Sequence, residues 1–385
     1  MTKAECEAAV ARCGSKRGAA REAGVSESTF RCWMRSDPRR VTATHASPIQ
    51  KPSEAMATDL ELRRLRGQLK SATEKYQHAL TEIDEWQKRV EVVEPLGATA
   101  PSGWQRKPVR CKNGTTAVVV MTDWHCEETV TAESVNGLNE YNLDVASRRI
   151  KRAFAKSLDL IESWRRSWKV DEIYLAILGD MITGYIHEEL EESNGLSPTE
   201  AILFAEQHIV DGIEFILREG GVRKLIVPTC HGNHGRTTKK KRIKTGHQNS
   251  FEWLLYRSLE RQYRRGRQNV EFRVANGIHN LQDVRGHLVR FHHGDSLKYN
   301  GGVGGITIPV NKAIAQWNIS TRAAFDVFGH WHQFLHTSRF VACNCLIGYS
   351  DFALEIKAEY QPPSQTVIFV DRDYGKVAAL EAFVE

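Results

Sequence analysis

Residues 115–125 read TTAVVVMTDWH, an apolar and β-branched run that ends in an acid and a histidine. Such a run is typical of a strand that is buried on both faces, as in the parallel sheet of an α/β protein. Two further runs have the same form, DEIYLAILGD at 171–180 and RKLIVPTCHGNHG at 223–235. Amphipathic helical patterns at 142–164 and 197–220 separate the three runs. This alternation predicts an α/β fold with a parallel sheet at its core.

Side chains that bind hard or borderline metal ions follow the end of each predicted strand. The later part of the chain continues this pattern with a histidine before Gly294 and with the sequence FGHWH at 328–332. In an open α/β sheet, ligand groups collect just past the carboxyl ends of the strands. We therefore expect these side chains to converge on one site. In chain order they are Asp123, His125, Asp180, Asn233, His234, His293, His330 and His332.

The order D-x-H, G-D, G-N-H, H-G and G-H-x-H resembles the motif set of the calcineurin-like metallophosphoesterase superfamily. The resemblance covers roughly residues 116–333. It implies a four-layer sandwich of two mixed β-sheets flanked by helices, with a pair of divalent metal ions at the junction. Within the superfamily, the combination with separate DNA-binding elements looks closest to the DNA-repair-type nuclease branch.

The resemblance also implies a role for each motif residue in a two-metal mechanism. Asp180 is expected to bridge the two ions, and His234 is expected to give a proton to the leaving oxygen. A set of nitrogen and oxygen ligands without thiolates suits Mn²⁺, the expected ion, with Fe or Zn²⁺ as alternatives. The implied ligands are Asp123, His125, Asp180 and His332 for one ion, and Asp180, Asn233, His293 and His330 for the other.

The chain departs from the family pattern directly after Gly-Asn-His. The family commonly has an acid there that orients the histidine, whereas this chain has Gly235. A doublet, His292-His293, also has to be resolved. His293 is the expected ligand because it adjoins Gly294, and strand alternation then directs His292 into packing on the other face.

The stretch after His234 is the most basic in the chain. Residues 236–244 carry six bases and no acid, and a second basic group spans 257–267. A polynucleotide presents many phosphates, and each phosphate that is neutralised adds affinity through counterion release. The position of the first group therefore favours a DNA backbone as substrate. Its residues are Arg236, Lys239, Lys240, Lys241, Arg242 and Lys244.

Residues 1–40 resemble the helix-turn-helix of site-specific recombinases and small DNA-binding regulators. Gly24 divides two short helical patterns, and Ser26 is expected to cap the second. Residues 1–52 contain ten basic and five acidic residues, which suggests a polyanionic partner. The second helix is expected to enter the major groove of DNA. The residues expected to contact DNA are Ser28, Thr29, Arg31 and Arg35.

Residues 41–58 form a predicted linker rich in Ser, Thr, Pro and Ala, and residues 59–95 carry a heptad pattern that ends at Pro95. A sustained apolar seam of this kind predicts a coiled coil and hence a homo-oligomer, with a dimer as the simplest case. The phosphoesterase domain is expected over 107–385. The seam positions are Leu62, Leu65, Leu69, Ala72, Tyr76, Ala79, Ile83, Trp86, Val90 and Val93.

Eight scattered cysteines with no C-x-x-C pair favour a reducing compartment. The chain has neither a secretory signal pattern nor an apolar run of the roughly 20 residues that would span a bilayer. The sequence therefore predicts a soluble cytoplasmic protein with no membrane partner. The unusual domain order is phage-like, in which case the compartment is the host cytoplasm.

The leading hypothesis is a metal-dependent nuclease that hydrolyses DNA phosphodiester bonds. Two alternatives remain open from the sequence. The first is a phosphomonoesterase or phosphoprotein phosphatase of the same superfamily, for which the basic groups have no role. The second is a DNA-binding scaffold or regulator, in which the catalytic fold is secondary.

Overall fold

The computed structural model describes residues 3–35, 54–93, 114–266, 269–298 and 305–385. Contacts divide the chain into two compact units, Met1–Gln105 and Arg106–Glu385. Among the described helices, none combines the length and the apolar character needed to cross a membrane.

The first unit begins with three short helices, α1 (Lys3–Cys13), α2 (Lys16–Glu22) and α3 (Glu27–Arg35). Gly24 lies in the turn before α3 with a φ of +67°, a conformation that glycine adopts at little cost. The Ser26 hydroxyl accepts a hydrogen bond from the Thr29 amide at 3.2 Å, which caps α3. The turn and the cap are as predicted, whereas α1 was not predicted. The small core consists of Cys6, Ala9, Ala19, Ala20 and Phe30.

A single long helix, α4 (Glu54–Val93), follows in the same unit. It begins inside the predicted linker 41–58, so the helix is longer than the heptad pattern alone indicated. Residues 36–53 and 94–113, which include the rest of the predicted linker and the end of the predicted coiled coil, lie outside the described residues.

The second unit is built from two sheets and their covering helices. Its strands are β1 (Thr115–Met121), β2 (Val170–Ile177), β3 (Leu225–Thr229), β4 (Val270–Val274), β5 (Asn280–Val284), β6 (His287–His292), β7 (Phe325–Phe328), β8 (Leu335–His336), β9 (Phe340–Ala342), β10 (Ser364–Asp371) and β11 (Gly375–Phe383). Its helices are α5 (Leu143–Arg165), α6 (Glu188–Ser193), α7 (Pro198–Glu219), α8 (Phe251–Gly266), α9 (Thr307–Trp317) and α10 (Asp351–Glu355).

Both sheets are mixed. The first has the order β11-β10-β1-β2-β3-β4, in which β1 to β4 run parallel and β10 and β11 pair antiparallel. The second has the order β5-β6-β7-β9-β8, with parallel pairing of β6, β7 and β9 and an antiparallel strand at each edge. The predicted fold class, two mixed sheets flanked by helices, is confirmed.

The alternation of side chains along β1 shows how the layers are formed. Val118 and Val120 pack between the two sheets, against residues such as Phe291 and Val327 of the second sheet. Ala117 and the other odd-numbered residues of β1 pack in the core that α5, α7 and α8 cover. Helix α9 packs on the outer face of the second sheet. Both faces of β1 are therefore dry, which explains its uninterrupted apolar sequence.

Candidate metal centre

The predicted ligands lie together where strands of both sheets end. Asp123 follows β1 and Asp180 follows β2 in the first sheet, while His293 follows β6 and His330 follows β7 in the second. Ligand atoms of Asp123, His125 and His332 lie within 4.8 Å of one another, and so do those of Asp180, His293 and His330. A third set, His125, Asp180 and His234, overlaps both of these groups. The structure thus brings the predicted histidines and aspartates into two adjoining clusters with Asp180 in the middle.

The backbone at these positions is unusual. Among the described residues, eight that are not glycine have a clearly positive φ, and five of these are predicted ligands. Each left-handed residue costs about 1–3 kcal/mol, and such strain concentrates at functional sites. The strain is therefore itself an indication of function. The five ligands are Asp123 (51°), His125 (45°), Asp180 (51°), His330 (69°) and His332 (52°).

The glycines of the motifs are required because backbone and ligand side chains approach closely. A Cβ on Gly232 would overlap Oδ1 of Asp180, and a Cβ on Gly329 would overlap Oδ2 of Asp123. Gly179 has a φ of +92° and no room for a side chain against Gly232. These glycines therefore allow the ligand loops to pack against one another.

Asp123 and His125 each use one side-chain atom for hydrogen bonds, and the other atom, which could bind a metal ion, makes none. Oδ2 of Asp123 accepts bonds from the Thr122 hydroxyl and the His330 amide, both at 2.8 Å. Its Oδ1 is buried and has no hydrogen-bond partner, and its nearest charged group is Nε2 of His332 at 3.5 Å. His125 likewise bonds through Nδ1 to the Thr183 hydroxyl at 3.1 Å, while its buried Nε2 has none. Buried polar atoms are rarely left unsatisfied, so these two atoms fit a cation site.

The protonation states also suit a metal site. Burial, reinforced by the nearby His234 and His332, holds the pKa of His125 well below its usual value. Burial and the neighbouring His293 lower the pKa of His330 to about 4. Both imidazoles are therefore neutral at pH 7, which is the form that binds metals. Burial opposes ionisation of Asp180, but the electrostatic effect of His293, His234 and His125 and the hydrogen bond from His293 together hold its pKa well below its usual value.

His293 is oriented by a backbone carbonyl behind it. Its Nδ1 donates to the carbonyl oxygen of Leu178 at 2.8 Å, so Nε2 points to Asp180 Oδ2 at 2.8 Å and to Asn233 Oδ1 at 3.1 Å. Although burial favours the neutral ring, the charge of Asp180 raises the pKa of His293 to about 10. A cation among these three atoms would supply the positive charge that the ring proton otherwise provides. Asn233 thus joins the second cluster.

His234 is oriented without the acid that is common in the family pattern. Its Nδ1 donates to the carbonyl oxygen of Thr183 at 3.0 Å, and its backbone amide donates to Asp180 Oδ1 at 2.8 Å. These two bonds hold the ring 4.7 Å, centroid to centroid, from that of His125. The Thr183 carbonyl therefore orients the ring of His234, the role that the acid has in the family pattern.

Gly235 has a structural reason that the sequence did not reveal. A Cβ at this position would lie 2.8 Å from Cγ of Glu252, a fully buried residue of α8. The Glu252 carboxylate accepts hydrogen bonds from the amides of Met181 at 2.6 Å and Gly232 at 2.7 Å. It therefore ties the loop of Asp180 to the loop of Asn233. Its only sequence signal was an acid within the otherwise apolar run FEWLLY.

Glu127 supports the same region from the other side. Its Oε1 accepts hydrogen bonds from the amides of Thr183 and Gly184, each at 2.8 Å. Burial raises the pKa of Glu127, and it raises that of Glu252 to about 7. These two supporting acids were missed because Glu127 belongs to no motif and a single acid in an apolar run does not by itself indicate the role of Glu252.

His292 points away from the centre, as alternation along β6 predicted. Its ring is fully buried and stacks on Phe328 with centroids 4.9 Å apart. Its Nε2 lies 3.6 Å from Asp326 Oδ2. Of the doublet, only His293 contributes to the clusters.

The basic run after His234 divides into two groups. Arg236 donates to the carbonyl oxygens of Asn233, Thr238 and Lys239, so its guanidinium holds its own loop together. Lys241 pairs with Asp295. The other four, Lys239, Lys240, Arg242 and Lys244, are exposed, and within the described residues only Lys239 has an ion-pair partner, the exposed Glu188 at 3.8 Å.

In the first unit, all four residues predicted to contact DNA lie in α3. Ser28 and Thr29 are exposed, and their hydroxyls contact that of Ser26. Arg31 is exposed and pairs with Glu27 at 2.5 Å. The side chain of Arg35 lies outside those that the structure describes.

Comparisons with known proteins give similarity in structure only. No family model matches the chain, and no curated protein matches it. An archaeal phosphodiesterase is 10% identical, with a TM-score of 0.30 over 69% of this chain and 99% of the other. A hypothetical protein from Pyrococcus horikoshii is 13% identical, with a TM-score of 0.32 over 69% and 87%. Vps29 from Entamoeba histolytica, complexed with zinc, is 9% identical, with a TM-score of 0.28 over 70% and 99%. At these values, the function has to be argued from the residues of this chain.

Proposed function

We propose that this chain is a divalent-metal-dependent phosphodiesterase that hydrolyses DNA, a nuclease of the calcineurin-like metallophosphoesterase superfamily. The observation that carries the proposal is the pair of clusters that share Asp180, one with His125 and His234 and the other with His293 and His330. A single carboxylate between two groups of imidazoles and acids is the arrangement that two adjacent cations require. The buried and unpartnered atoms of Asp123 and His125 support the same conclusion.

The numerous imidazoles of the described clusters fit Mn²⁺ better than Mg²⁺, and the absence of cysteine from these clusters argues against an ion that selects thiolates. When bound, the two ions would supply Lewis acidity toward the phosphoryl oxygens and the attacking water. The chain itself supplies the positioned proton donor. His234 is held by the Thr183 carbonyl through Nδ1, so Nε2 can give a proton to the leaving oxygen only when the ring carries both protons, a form that burial disfavours by lowering the pKa of His234.

DNA is the proposed substrate because of the charges beside the site. Lys240, Arg242 and Lys244 are exposed and follow His234 within ten residues, and the described part of the chain gives them no ion-pair partner. A small phosphate monoester needs one or two cationic side chains, whereas the affinity for a polynucleotide rises with each additional phosphate that a cationic side chain neutralises. The basic composition of residues 1–52 supports the same partner.

The proposal is tested with purified protein, Mn²⁺ and end-labelled single- and double-stranded DNA. We expect release of shorter fragments that a chelator abolishes and that added Mn²⁺ restores. Turnover of an aryl phosphate monoester without cleavage of any DNA would instead establish a phosphomonoesterase. Metal-independent DNA binding without hydrolysis of either substrate would establish a scaffold or regulator.

Removing three loop charges should weaken DNA binding in a salt-dependent manner. The triple variant Lys240→Ala, Arg242→Ala and Lys244→Ala should lower the slope of log affinity against log salt by about 0.7–0.9 for each phosphate that is no longer neutralised. Titrations at several salt concentrations measure this slope. The matched control is Arg148→Ala, Lys151→Ala and Arg152→Ala on the exposed face of α5, which should change the slope little. Equal slopes for the two triples would exclude the loop as a DNA-binding element.

We also propose that two copies of the chain pair through α4. The large apolar residues of its a and d positions from Leu62 to Val90 are between 47% and 69% exposed. Such a continuous exposed apolar stripe is rare on a monomer, and its heptad spacing suits a second helix of the same kind. The occupant is therefore a second copy of this chain.

Charges placed in the seam should separate the copies. Leu69→Lys combined with Ile83→Lys places two lysines at a positions, where they would face the same lysines of the partner. We expect the molecular mass from sedimentation equilibrium to fall to that of one chain. The control, Gln77→Lys with Thr81→Lys, adds the same charges at outer positions and should leave the mass unchanged. A seam variant that keeps the oligomer mass would refute the proposed pairing.

A further inference from the structure

A cavity of about 710 Å³ opens on one side of the metal centre. Its lining includes His125, Asp180, His234 and His332, so the proposed reacting groups lie in its wall. The volume is within the range of about 300–1,000 Å³ that is typical of sites for small organic ligands. The cavity is therefore large enough for a group attached to the reacting phosphate.

The charge of this cavity is the opposite of what a DNA strand requires. Beyond the metal centre, its lining carries four acidic side chains, of which burial raises the pKa of Glu128 to about 7, and no described lysine or arginine lines it. A phosphodiester backbone that continued through the cavity would place its next phosphates among these acids. The acids are Glu128, Glu189, Asp351 and Glu359.

The same cavity has an apolar and aromatic side. Trp331 and Tyr349 line it, together with Phe352 and Ile356 of the segment around α10. Phe352 is 68% exposed and Ile356 is 56% exposed, so both present apolar surface to whatever enters. Exposed aromatic groups beside a catalytic centre suit the flat face of a nucleobase.

A second and much smaller recess lies on the other side of the centre. It is lined by Arg236, Lys241 and Arg242 and by one acid, Asp295, with which Lys241 pairs, and His293 lies in its wall. Asn233 lines both this recess and the large cavity. The metal centre therefore lies at the boundary between a basic recess and an acidic, aromatic cavity.

We propose that the large cavity binds the terminal nucleoside of a DNA strand, so that the enzyme cuts from strand ends. This inference rests on the proposed nuclease function and adds a substrate class to it. The scissile phosphate would lie at the metal centre, with the body of the strand on the basic side. A terminal nucleoside with a hydroxyl end has a base that can stack on the aromatic side chains. It carries no further phosphate, so the acids of the cavity do not repel it.

The chemistry needs no additional reactant. One water oxygen forms a bond to phosphorus, the P–O ester bond between that phosphate and the body of the strand breaks, and the leaving oxygen takes a proton from His234 that the proton lost by the water replaces. His234 lines the cavity and is placed to give that proton. The products are one alcohol and one phosphate monoester, so atoms and charge balance.

The test compares one single-stranded sequence in three forms, with the wild-type protein and Mn²⁺. The first form is a linear strand with hydroxyl ends, and the third is a covalently closed circle. The second is the linear strand with a single phosphate, prepared once with the phosphate at one end and once with it at the other. We expect the linear strand to be degraded at least about tenfold faster than the circle. A phosphate on the end that enters the cavity should be repelled by the acids that line it. We expect this repulsion to slow degradation about tenfold, since one modest charge repulsion changes a rate by about this factor.

Two sets of variants assign the effect to the cavity. Asp351→Asn with Glu359→Gln, both exposed, should reduce the ratio of the rate on hydroxyl ends to the rate on phosphate ends. Phe352→Ala should raise KM for the linear strand about tenfold with kcat little changed, as the loss of base stacking predicts. Tyr374→Ala removes an aromatic side chain that is 77% exposed elsewhere and serves as the control.

The outcomes separate the two proposals. If the circle is cut as fast as the linear strand, the cavity does not select ends and the inference fails, although the nuclease function stands. The inference also fails if the terminal phosphate has no effect at either end. If metal-loaded protein cuts none of the three forms, the proposed function itself is wrong.

Discussion

Asp180→Asn is expected to lower the rate of DNA hydrolysis by at least about 10³-fold, since the loss of a metal-based stabilisation of several kcal/mol has this effect. Both oxygens of Asp180 are engaged, Oδ1 with the His234 amide and Oδ2 with His293. Asparagine keeps the shape but removes the charge and turns one oxygen into an NH₂ group. The residue that both clusters share would then repel a cation on one side.

Two measurements accompany the rate. Elemental analysis should show that Asp180→Asn retains less than the two ions per chain expected of the wild type, while DNA affinity at a fixed salt concentration stays within about twofold. Asp159→Asn, an exposed change on α5, should match the wild type in both respects. A fully active Asp180→Asn variant would show that the site lies elsewhere.

Gly232→Ala should lower the rate about 100-fold or more, because displacement of a catalytic group by about 1 Å has costs of this size. The added Cβ would overlap Oδ1 of Asp180, so either the loop of Asn233 or the carboxylate has to move. The loop has little freedom, because Glu252 binds the Gly232 amide at 2.7 Å. We therefore expect the substitution to displace the carboxylate of Asp180.

The matched control for this variant is Gly277→Ala. Apart from the two adjacent residues, no heavy atom of the described chain lies within 4 Å of a Cβ placed there, and the residue is exposed. Steady-state rates and thermal unfolding of the two variants should be compared. A Gly232→Ala variant with normal rate and metal content would mean that the ligand loops tolerate the extra group, contrary to the packing described above.

The fold was predictable from the sequence where local patterns carry the information. The strands β1, β2 and β3 are short apolar runs, and the helical pattern predicted from residue 197 corresponds to α7, which begins with a capping box of Ser197 and Glu200. By contrast, β10 pairs antiparallel with β1 although Val118 and Ile368 are far apart in sequence. The short edge strands β5 and β8 were also not predicted. Such pairings depend on the assembled sheet, so no local period indicates them.

The site was predictable to the same extent. Each ligand candidate follows a strand within a few residues, and this placement could be argued from sequence. The supporting groups are different in kind, because Glu252 comes from a helix and Thr183 acts through its backbone carbonyl. The aromatic side of the large cavity comes from residues such as Phe352 that follow no motif. Their roles depend on tertiary packing alone.

The left-handed conformation of five ligands has a consequence for the molecule as a whole. Asp123 and Asp180 belong to loops of one sheet, while His330 and His332 belong to a loop of the other. Cations held among them would cross-link the two sheets at this edge. Part of the free energy of metal binding would offset the strain of the left-handed residues in these loops. Affinity for the ions and resistance of the sandwich to separation would then rise and fall together.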